Sequence, residues 1–259
     1  MKIFLTGASS GIGMALARVY AASEPRASLT LGLFARRLEL LEKAGEEISA
    51  EHGQTVASFG GDVRVAADLQ RAGADFIARF GPPDIVIANA GVSRGTLTEY
   101  AEDLPAFAAV FETNVMGIVH TFQPFLAAMR ARGSGTLVGI ASVAGFRGLP
   151  GSGAYSASKA AAISYLESLR VEEQRNGVRV VTLCPGYIAT PLTAKNPYAM
   201  PFLMQPDDAA ARMRRVIAAG SKFAVVPWQM AIVGRVLRCL PRGLYDRAFA
   251  NVKRKPRIP

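Results

Sequence analysis

A tyrosine and a lysine four residues apart, Tyr155 and Lys159, are the side chains in this chain best suited to proton transfer. On a helix this spacing places both on one face, one turn apart. A phenol has a pKa of about 10, and a nearby ammonium lowers it toward the working range of a general acid or base. Ser142 adds a hydroxyl able to hydrogen-bond a substrate oxygen. The trio indicates a site where a substrate oxygen exchanges a proton, although Tyr-x-x-x-Lys pairs are also frequent on solvated helix faces.

A glycine-rich turn, Thr6-Gly7-Ala8-Ser9-Ser10-Gly11-Ile12-Gly13, lies between the first apolar run and the first helical pattern. Glycines let a backbone turn tightly and approach a pyrophosphate, which binds at the N-terminus of the following helix. The same residues fit Gly-x-Ser-x-Gly, the nucleophile elbow of α/β-hydrolases. That chemistry needs a histidine on a late loop, whereas His52 and His120 both fall in helical patterns. We therefore favour a dinucleotide-binding turn over a hydrolase or a turn without a ligand.

The end of the second apolar run carries two arginines, Arg36 and Arg37, and no acid that could bind a ribose 2′-hydroxyl. Guanidinium groups suit a 2′-phosphate through charge and a bidentate fork. A solvated basic pair is the alternative, but cations at a helix N-terminus oppose the helix dipole. The pair therefore predicts NADP(H) in preference to NAD(H).

Polar residues follow the third and fourth apolar runs, at Asp62-Val63 and Asn89-Ala90-Gly91. In open parallel sheets, ligands bind at the carboxyl ends of strands. Asp62 is a candidate acceptor for an adenine amino group, and Asn89 is either a ligand or a loop-forming residue. Asn114 falls inside a long helical pattern, where a polar surface position is the default interpretation.

Short apolar runs alternate with longer helical patterns, as in a doubly wound α/β fold with a parallel sheet and helices on both faces. We predict strands at 2–6, 28–34, 55–59, 84–88, 136–141, 178–184 and 223–226. We predict helices at 12–23, 37–52, 65–80, 104–130, 154–176 and 206–220. The 104–130 helix has Pro105 in its first turn and a possible kink at Pro124.

The length of 259 residues fits one large α/β domain as well as two small ones, and the apolar half of the residues allows a sizeable core. Cys184 and Cys239 make no disulfide framework, and the N-terminus lacks the features of a signal peptide. No apolar stretch is long enough to span a bilayer. These features predict a cytoplasmic protein.

The net charge of +10 is concentrated at the C-terminus, where residues 227–259 hold eight basic residues and one acid. Helical patterns at 228–240 and 244–252 place Trp228, Ile232 and Val236 on an apolar arc, with Arg235 and Arg238 opposite. We therefore predict a catalytic domain at 1–226 and a basic amphipathic helical extension at 227–259. The extension either docks on its own protein or contacts a membrane surface, at the inner face, through residues 228–252.

Together these residues resemble the short-chain dehydrogenase/reductase family. The resemblance rests on motifs in the family's order: Thr6-Gly7-x-x-x-Gly11-x-Gly13, Asp62, Asn89-Ala90-Gly91, Asn114, Ser142, Tyr155-x-x-x-Lys159, Pro185-Gly186 and Thr190. It covers about residues 2–226. It implies a single Rossmann-type domain and hydride transfer between NAD(P)(H) and an alcohol/carbonyl pair.

The resemblance also implies roles. Tyr155 would donate the proton, Lys159 would lower its pKa and bind the nicotinamide ribose, Ser142 would hold the substrate oxygen, and Asn114 would place a water near Lys159. Together with Tyr155 and Lys159, the implied cofactor-binding residues are Gly7, Ser9, Ser10, Gly11, Ile12, Gly13, Arg36, Arg37, Asp62, Val63, Asn89, Ala90, Gly91, Pro185, Gly186, Ile188 and Thr190.

Two departures from the family pattern stand out. Ala88 replaces a frequent second asparagine, and the last strand lacks the Asp-Gly-Gly ending of many tetrameric members. We therefore expect a homo-oligomer, with a dimer favoured over a tetramer.

The predicted function is that of an NADP(H)-dependent carbonyl reductase or alcohol dehydrogenase. An apolar segment at 187–204 reads as a substrate lid and favours an apolar ketone, aldehyde or alcohol. The alternative is a non-catalytic NADP(H)-binding or membrane-associated interaction protein on the same fold. We expect no metal and no nucleic-acid partner.

Overall fold

A computed structural model describes residues 1–194 and 196–257, which form a seven-stranded parallel sheet in the order β3-β2-β1-β4-β5-β6-β7. Lys195, inside the predicted lid, and Ile258 and Pro259, at the end of the predicted extension, lie outside the described residues. The strands are β1 Lys2–Thr6, β2 Thr30–Ala35, β3 Thr55–Gly60, β4 Ile85–Ala88, β5 Gly135–Ile140, β6 Val178–Pro185 and β7 Phe223–Val226.

The helices lie on both faces of this sheet. They are α1 Gly11–Ser23, α2 Leu38–His52, α3 Ala66–Phe80, α4 Leu104–Phe111, α5 Gly117–Arg132, α6 Gly153–Glu172, α7 Pro206–Ala218, α8 Gln229–Cys239 and α9 Arg242–Phe249. Leu16 of α1, Leu41 of α2 and Met213 of α7 belong to one buried apolar cluster. Phe76 of α3, Phe125 of α5 and Leu166 of α6 belong to the other. The predicted doubly wound α/β fold is therefore confirmed.

The strand order reverses beside β1, which pairs with β2 on one side and β4 on the other. The connections that leave these two pairs run to opposite faces, so the carboxyl ends of β1 and β4 open a crevice. Such a switch point is where ligands bind in open α/β sheets.

The predicted single helix at 104–130 is wrong in one respect. A π-helical turn, Glu112–Met116, joins α4 to α5, so the irregularity precedes Pro124. A π turn accommodates one extra residue and redirects the side chains within it. Here it turns Thr113 and Asn114 into the protein interior.

The C-terminal segment packs on the body of the protein. Gly234 of α8 lies against the Phe146 ring, Arg147 donates to the carbonyl oxygen of Leu237 at 2.9 Å, and the Tyr245 hydroxyl of α9 donates to the Gly148 carbonyl oxygen. Among the described residues, no helix is both long and apolar enough to cross a bilayer.

The apolar arc predicted for 228–240 is divided in the structure. Met230 and Gly234 face the body of the protein, whereas Trp228, Ile232 and Val236 are 62%, 54% and 59% exposed. The body of the protein covers only part of the apolar arc, so the apolar side chains at the other edge of α8 are exposed to solvent.

Candidate active site

A cavity of about 580 Å³ opens at the carboxyl edge of the sheet. Most of the residues predicted from the sequence line it, including the glycine-rich turn, both arginines after β2, the segments after β3 and β4, and the proton-transfer trio. The predicted residues that line it are Gly7, Ser9, Ser10, Gly11, Ile12, Arg36, Arg37, Asp62, Val63, Asn89, Ala90, Gly91, Ser142, Tyr155, Lys159, Pro185, Gly186, Ile188 and Thr190. Gly13 and Asn114 lie behind the wall, and neither His52 nor His120 lines the cavity.

The turn after β1 is held in shape by close packing. Gly7 has a φ of +70°, and a Cβ atom at Gly13 would lie 2.3 Å from the Gly7 carbonyl oxygen. The side-chain nitrogen of Asn89 (Nδ2) donates to the carbonyl oxygens of Thr6 and Gly7, at 3.1 and 3.2 Å. Asn89 thus has a structural role at the turn, where the sequence left that role and a ligand role open.

Arg37 and Asp62, which were predicted to contact the adenosine part of the cofactor, both make hydrogen bonds within the protein. Arg37 donates to the Ser9 and Ser10 hydroxyls, at 3.0 and 3.4 Å, so its guanidinium lies over the glycine-rich turn. Asp62 accepts from the Arg64 guanidinium at 2.7 Å, and this pairing lowers the pKa of its carboxyl. Asp62 therefore stays ionised and is partly occupied as an acceptor.

The Tyr155 phenol lies beside Ser142, which follows β5. The Ser142 hydroxyl accepts from the amide of Ala144 at 3.2 Å. Burial raises the pKa of Tyr155 above its ordinary value, and the hydrogen bond with Ser142 opposes this shift without overcoming it. The net lowering of this pKa that was expected from the nearby Lys159 ammonium is not seen, because desolvation outweighs the effects that oppose it. The phenol is a protonated donor near neutrality.

The Lys159 ammonium is buried next to the same ring. It donates to the Ile140 carbonyl oxygen at 2.8 Å and lies 5.9 Å from the centroid of the Tyr155 ring. Burial lowers the pKa of Lys159 to about 8. At pH 7 the side chain is therefore still mostly charged, but its proton is held less firmly than that of an exposed lysine.

Asn114 is fully buried and holds the wall behind the cavity. Its side-chain oxygen accepts from the Val92 amide, and its nitrogen donates to the Val92 carbonyl oxygen, both at 2.9 Å. The same nitrogen donates at 3.0 Å to the Ser158 hydroxyl, which itself donates to the Tyr155 carbonyl oxygen at 2.8 Å. Asn114 and Ser158 thus connect the loop after β4 to the helix that carries Tyr155 and Lys159.

Sequence reasoning missed Ser158, although its place inside the Tyr155–Lys159 interval was a usable signal. It also missed Arg147, which lies between Ser142 and Tyr155 in the sequence, and Lys255, which lines the cavity from the distant C-terminal segment. No local pattern marks Lys255, because folding alone brings it to the site.

The predicted lid begins and ends at one short parallel contact. Ile188 pairs with Met204, and the Ala189 amide donates to the Met204 carbonyl oxygen at 2.9 Å. Tyr187, Leu192 and Tyr198 line the cavity, while Phe202 and Leu203 are exposed. The described residues of this segment thus present apolar side chains both to the cavity and to the solvent.

Known proteins of the same architecture were found by sequence and by structure. The sequence model of the short chain dehydrogenase family matches residues 1–200. A Myxococcus xanthus protein named an uncharacterized oxidoreductase is 41% identical over 252 residues, which cover 96% of each chain.

Two solved structures extend the comparison. An alcohol dehydrogenase from Thermococcus sibiricus complexed with 5-hydroxy-NADP is 28% identical, with a TM-score of 0.77 over 88% of this chain and 97% of that one. A short chain dehydrogenase/reductase from Burkholderia phymatum in complex with NAD is 25% identical, with a TM-score of 0.81 over 100% of this chain and 96% of that one.

Proposed function

Because the chain belongs to the short-chain dehydrogenase/reductase family of oxidoreductases, we propose that it transfers a hydride between NADP(H) and a carbonyl/alcohol pair. The observation that carries this proposal is the meeting of Ser142, Tyr155 and Lys159 in the cavity that the glycine-rich turn also lines. The shape of that turn fits a dinucleotide, since the cavity-lining Gly7 and Gly11 have φ angles of +70° and +56°, and Gly13 lets the first helix pack closely against the turn.

A nicotinamide bound in this cavity would supply the hydride, and the residues of this chain would bind and protonate the substrate oxygen. Ser142 hydrogen-bonds the carbonyl oxygen and orients it toward the Tyr155 hydroxyl. Tyr155 donates its proton to that oxygen as negative charge develops there. Lys159, charged and 5.9 Å from the ring centroid, stabilises the phenolate that remains.

A screen of NADPH consumption across ketones, quinones and aldehydes tests the proposal. We expect at least one class to be reduced by the protein and not by its Tyr155→Phe variant. Bound NADPH without consumption across the panel would instead favour the alternative, a non-catalytic NADP(H)-binding protein on this fold.

We propose NADP(H) as the preferred cofactor because the guanidinium of Arg37 lies over the phosphate-binding turn and Arg36 lines the same cavity. We expect the double change Arg36→Ala and Arg37→Ala to raise the KM for NADPH roughly 10- to 100-fold, the value of one or two charge-assisted hydrogen bonds. The KM for NADH should hardly change, since NADH has no 2′-phosphate. Steady-state kinetics with both cofactors make the measurement.

The matched control is Arg18→Ala, which removes an exposed arginine paired with Glu47 on α2. Equal losses for NADPH and NADH in the double variant would contradict the assignment of these arginines to the 2′-phosphate.

The apolar residues that line the cavity favour a substrate with an apolar chain or ring. Leu149, Tyr187, Leu192, Tyr198 and Val233 line that part of the cavity. Ketones, aldehydes and alcohols with an apolar chain or ring fit such a wall.

We also propose that the exposed edge of α8 contacts an anionic membrane surface. Trp228, Ile232 and Val236 form an exposed stripe at helical spacing, and Arg235 and Arg238 are exposed on the same helix. A tryptophan with aliphatic residues and arginines on one helix suits the headgroup region of a bilayer.

Cosedimentation with vesicles that contain phosphatidylserine makes the measurement. At low salt we expect the full-length protein to pellet with them, and the double change Trp228→Ser and Ile232→Ser to weaken this binding roughly tenfold through lost apolar burial. Val171→Ser, at an exposed valine on α6, is the control and should bind as the wild type does. A protein that stays in the supernatant at low salt would rule out the membrane contact.

A homodimer is the oligomeric state we propose. Leu104, Phe107 and Phe111 form an apolar stripe on α4 that a second copy of the chain could cover. Leu104 and Phe107 are exposed, and the two phenylalanine rings are stacked with their centroids 5.4 Å apart.

We propose a cytoplasmic location, which is supported by the free thiols of Cys184 and Cys239.

A further inference from the structure

Residues 253–257, called the strap here, return from the C-terminal segment to the active site. Arg257 pairs with Gly95 in a short parallel contact. Its guanidinium donates to both carboxylate oxygens of the buried Asp103, at 2.8 and 3.0 Å, and lies 3.4 Å from the centroid of the Tyr100 ring. The bidentate geometry fixes the end of the strap against the loop after β4.

Two glycines make room for the strap. A Cβ atom at Gly95 would lie 2.4 Å from the Pro256 carbonyl oxygen, and one at Gly151 would lie 2.8 Å from the Cβ atom of Arg254. The backbone of the strap therefore packs so closely against Gly95 and Gly151 that a larger residue at either position would overlap with it. Its path is set by this close approach as well as by the Arg257 anchor.

Lys255 is the residue that the strap places in the cavity. It is only 7% exposed, whereas its neighbours Lys253 and Arg254 are exposed. Its ammonium donates to the Ser93 hydroxyl at 2.7 Å and lies 6.0 Å from the centroid of the Tyr155 ring. The side chain thus reaches the reacting end of the cavity, on the same tyrosine that Lys159 approaches.

The buried ammonium has no carboxylate beside it among the residues that the structure describes. Burial is the cause that lowers the pKa of Lys255, and no charged neighbour contributes. Of the described residues that line the cavity, only Asp62 is acidic, and it is paired with Arg64. Buried charges are normally paired, because a lone ion away from water is unfavourable.

A negatively charged group on the substrate would supply that pairing. Apolar side chains also line the cavity, among them Leu149, Leu237 and Phe249. Arg94 and Arg147 also line the cavity, so the local charge is positive. This combination suits a molecule with an apolar body and one anionic end.

We propose that Lys255, with Ser93, binds an anionic oxygen group on the carbonyl substrate, so that the enzyme acts on acidic oxo compounds rather than on neutral ones. The anionic group is a carboxylate or a phosphate, since both accept hydrogen bonds from an ammonium and a hydroxyl. The proposal rests on the proposed function, because it names the substrate class of that site. It also narrows the apolar substrate expected from the lid.

Binding without turnover tests the role of Lys255 directly. Titration calorimetry on the full-length protein compares octanoate, octyl phosphate and octan-1-ol, which share one apolar chain. We expect at least one anion to bind roughly 10- to 100-fold more tightly than octan-1-ol, the value of a hydrogen bond to a charged group. Whichever anion binds more tightly identifies the group. Equal binding of all three compounds by the wild type would overturn the proposal.

Three variants locate the effect. Lys255→Met keeps an unbranched apolar side chain but removes the ammonium, and it should abolish the preference for the anion. Lys253→Met, on the exposed neighbour, should leave the preference unchanged. Gly95→Ala alters no charge but displaces the backbone of the strap, so it should also lose the preference. If Gly95→Ala retains it in full, the position of the strap is not what places Lys255 in the site.

Turnover of matched aldehydes separates this proposal from the reaction itself. We expect Lys255→Met to raise the KM for 4-carboxybenzaldehyde roughly 10- to 100-fold, with little change for 4-methylbenzaldehyde. If the wild type reduces neither aldehyde while octanoate still binds through Lys255, the proposed reaction fails and the anion site stands. If both aldehydes are reduced with equal KM values by wild type and variant, the anion site fails and the reaction stands.

Discussion

Replacement of Tyr155 by phenylalanine is expected to lower kcat/KM for carbonyl reduction by roughly a hundredfold to ten-thousandfold, the range typical of a general acid. The variant loses the proton donor and keeps the ring, whose centroid lies about 6 Å from the ammonium groups of Lys159 and Lys255. The Kd for NADPH should change by less than about fivefold, the size of one neutral hydrogen bond. Steady-state kinetics and fluorescence titration with NADPH make the two measurements.

The matched control for this change is Tyr165→Phe on the same helix, α6. Tyr165 packs against the apolar cluster of α3, α5 and α6 and does not line the cavity. The Tyr165→Phe variant should therefore retain wild-type turnover. A Tyr155→Phe protein that still reduces carbonyls at the wild-type rate would show that another group donates the proton.

Replacement of Lys159 by methionine is expected to have two opposite effects. Turnover should fall roughly a hundredfold or more, because the charge that stabilises the phenolate is removed. Thermodynamic stability at pH 7 should rise, because burial lowers the pKa of Lys159 to about 8 and its charged form is therefore unfavourable in the folded state. The expected gain is roughly 1–2 kcal/mol, after subtraction of the hydrogen bond to Ile140.

The pH dependence of this gain follows from the sign of the shift. The pKa of Lys159 is lower in the folded state than in the unfolded chain, so the folded protein binds fewer protons between about pH 8 and pH 10.4. The destabilisation is complete below pH 8 and disappears as the pH rises through this interval. The difference in unfolding free energy between the variant and the wild type should therefore shrink from pH 7 to pH 10.

Chemical denaturation at the two pH values makes this measurement. Lys43→Met, at an exposed lysine on α2, is the control and should show neither effect. A Lys159→Met protein that is less stable than the wild type at pH 7 would mean that the ammonium is better solvated or paired than the geometry shows.

The sheet could be predicted from the sequence because each strand is a short apolar run between turn-forming residues. The observed β7, Phe223–Val226, has the predicted limits, and β6, Val178–Pro185, differs by one residue. The site residues at the carboxyl ends of strands could also be predicted, since the topology of an open sheet brings these ends together.

Other features depend on packing that no local pattern encodes. The π turn at Glu112–Met116 could not be inferred, because neither its composition nor its spacing differs from that of an ordinary helix. The raised pKa of Tyr155 depends on how completely the folded cavity excludes water. The position of Lys255 depends on a close approach between Gly95 and Pro256, which lie far apart in the sequence.

The most direct test of the account follows the hydrogen that moves. NADPH deuterated at both C4 positions of the nicotinamide is incubated with the full-length protein and 4-carboxybenzaldehyde or 4-methylbenzaldehyde, and the products are analysed by mass spectrometry. We expect a benzyl alcohol that carries one deuterium, formed in step with NADPH oxidation and absent with Tyr155→Phe. Oxidation of NADPH without deuterium in the alcohol, or deuterated alcohol formed equally by Tyr155→Phe, would contradict the account.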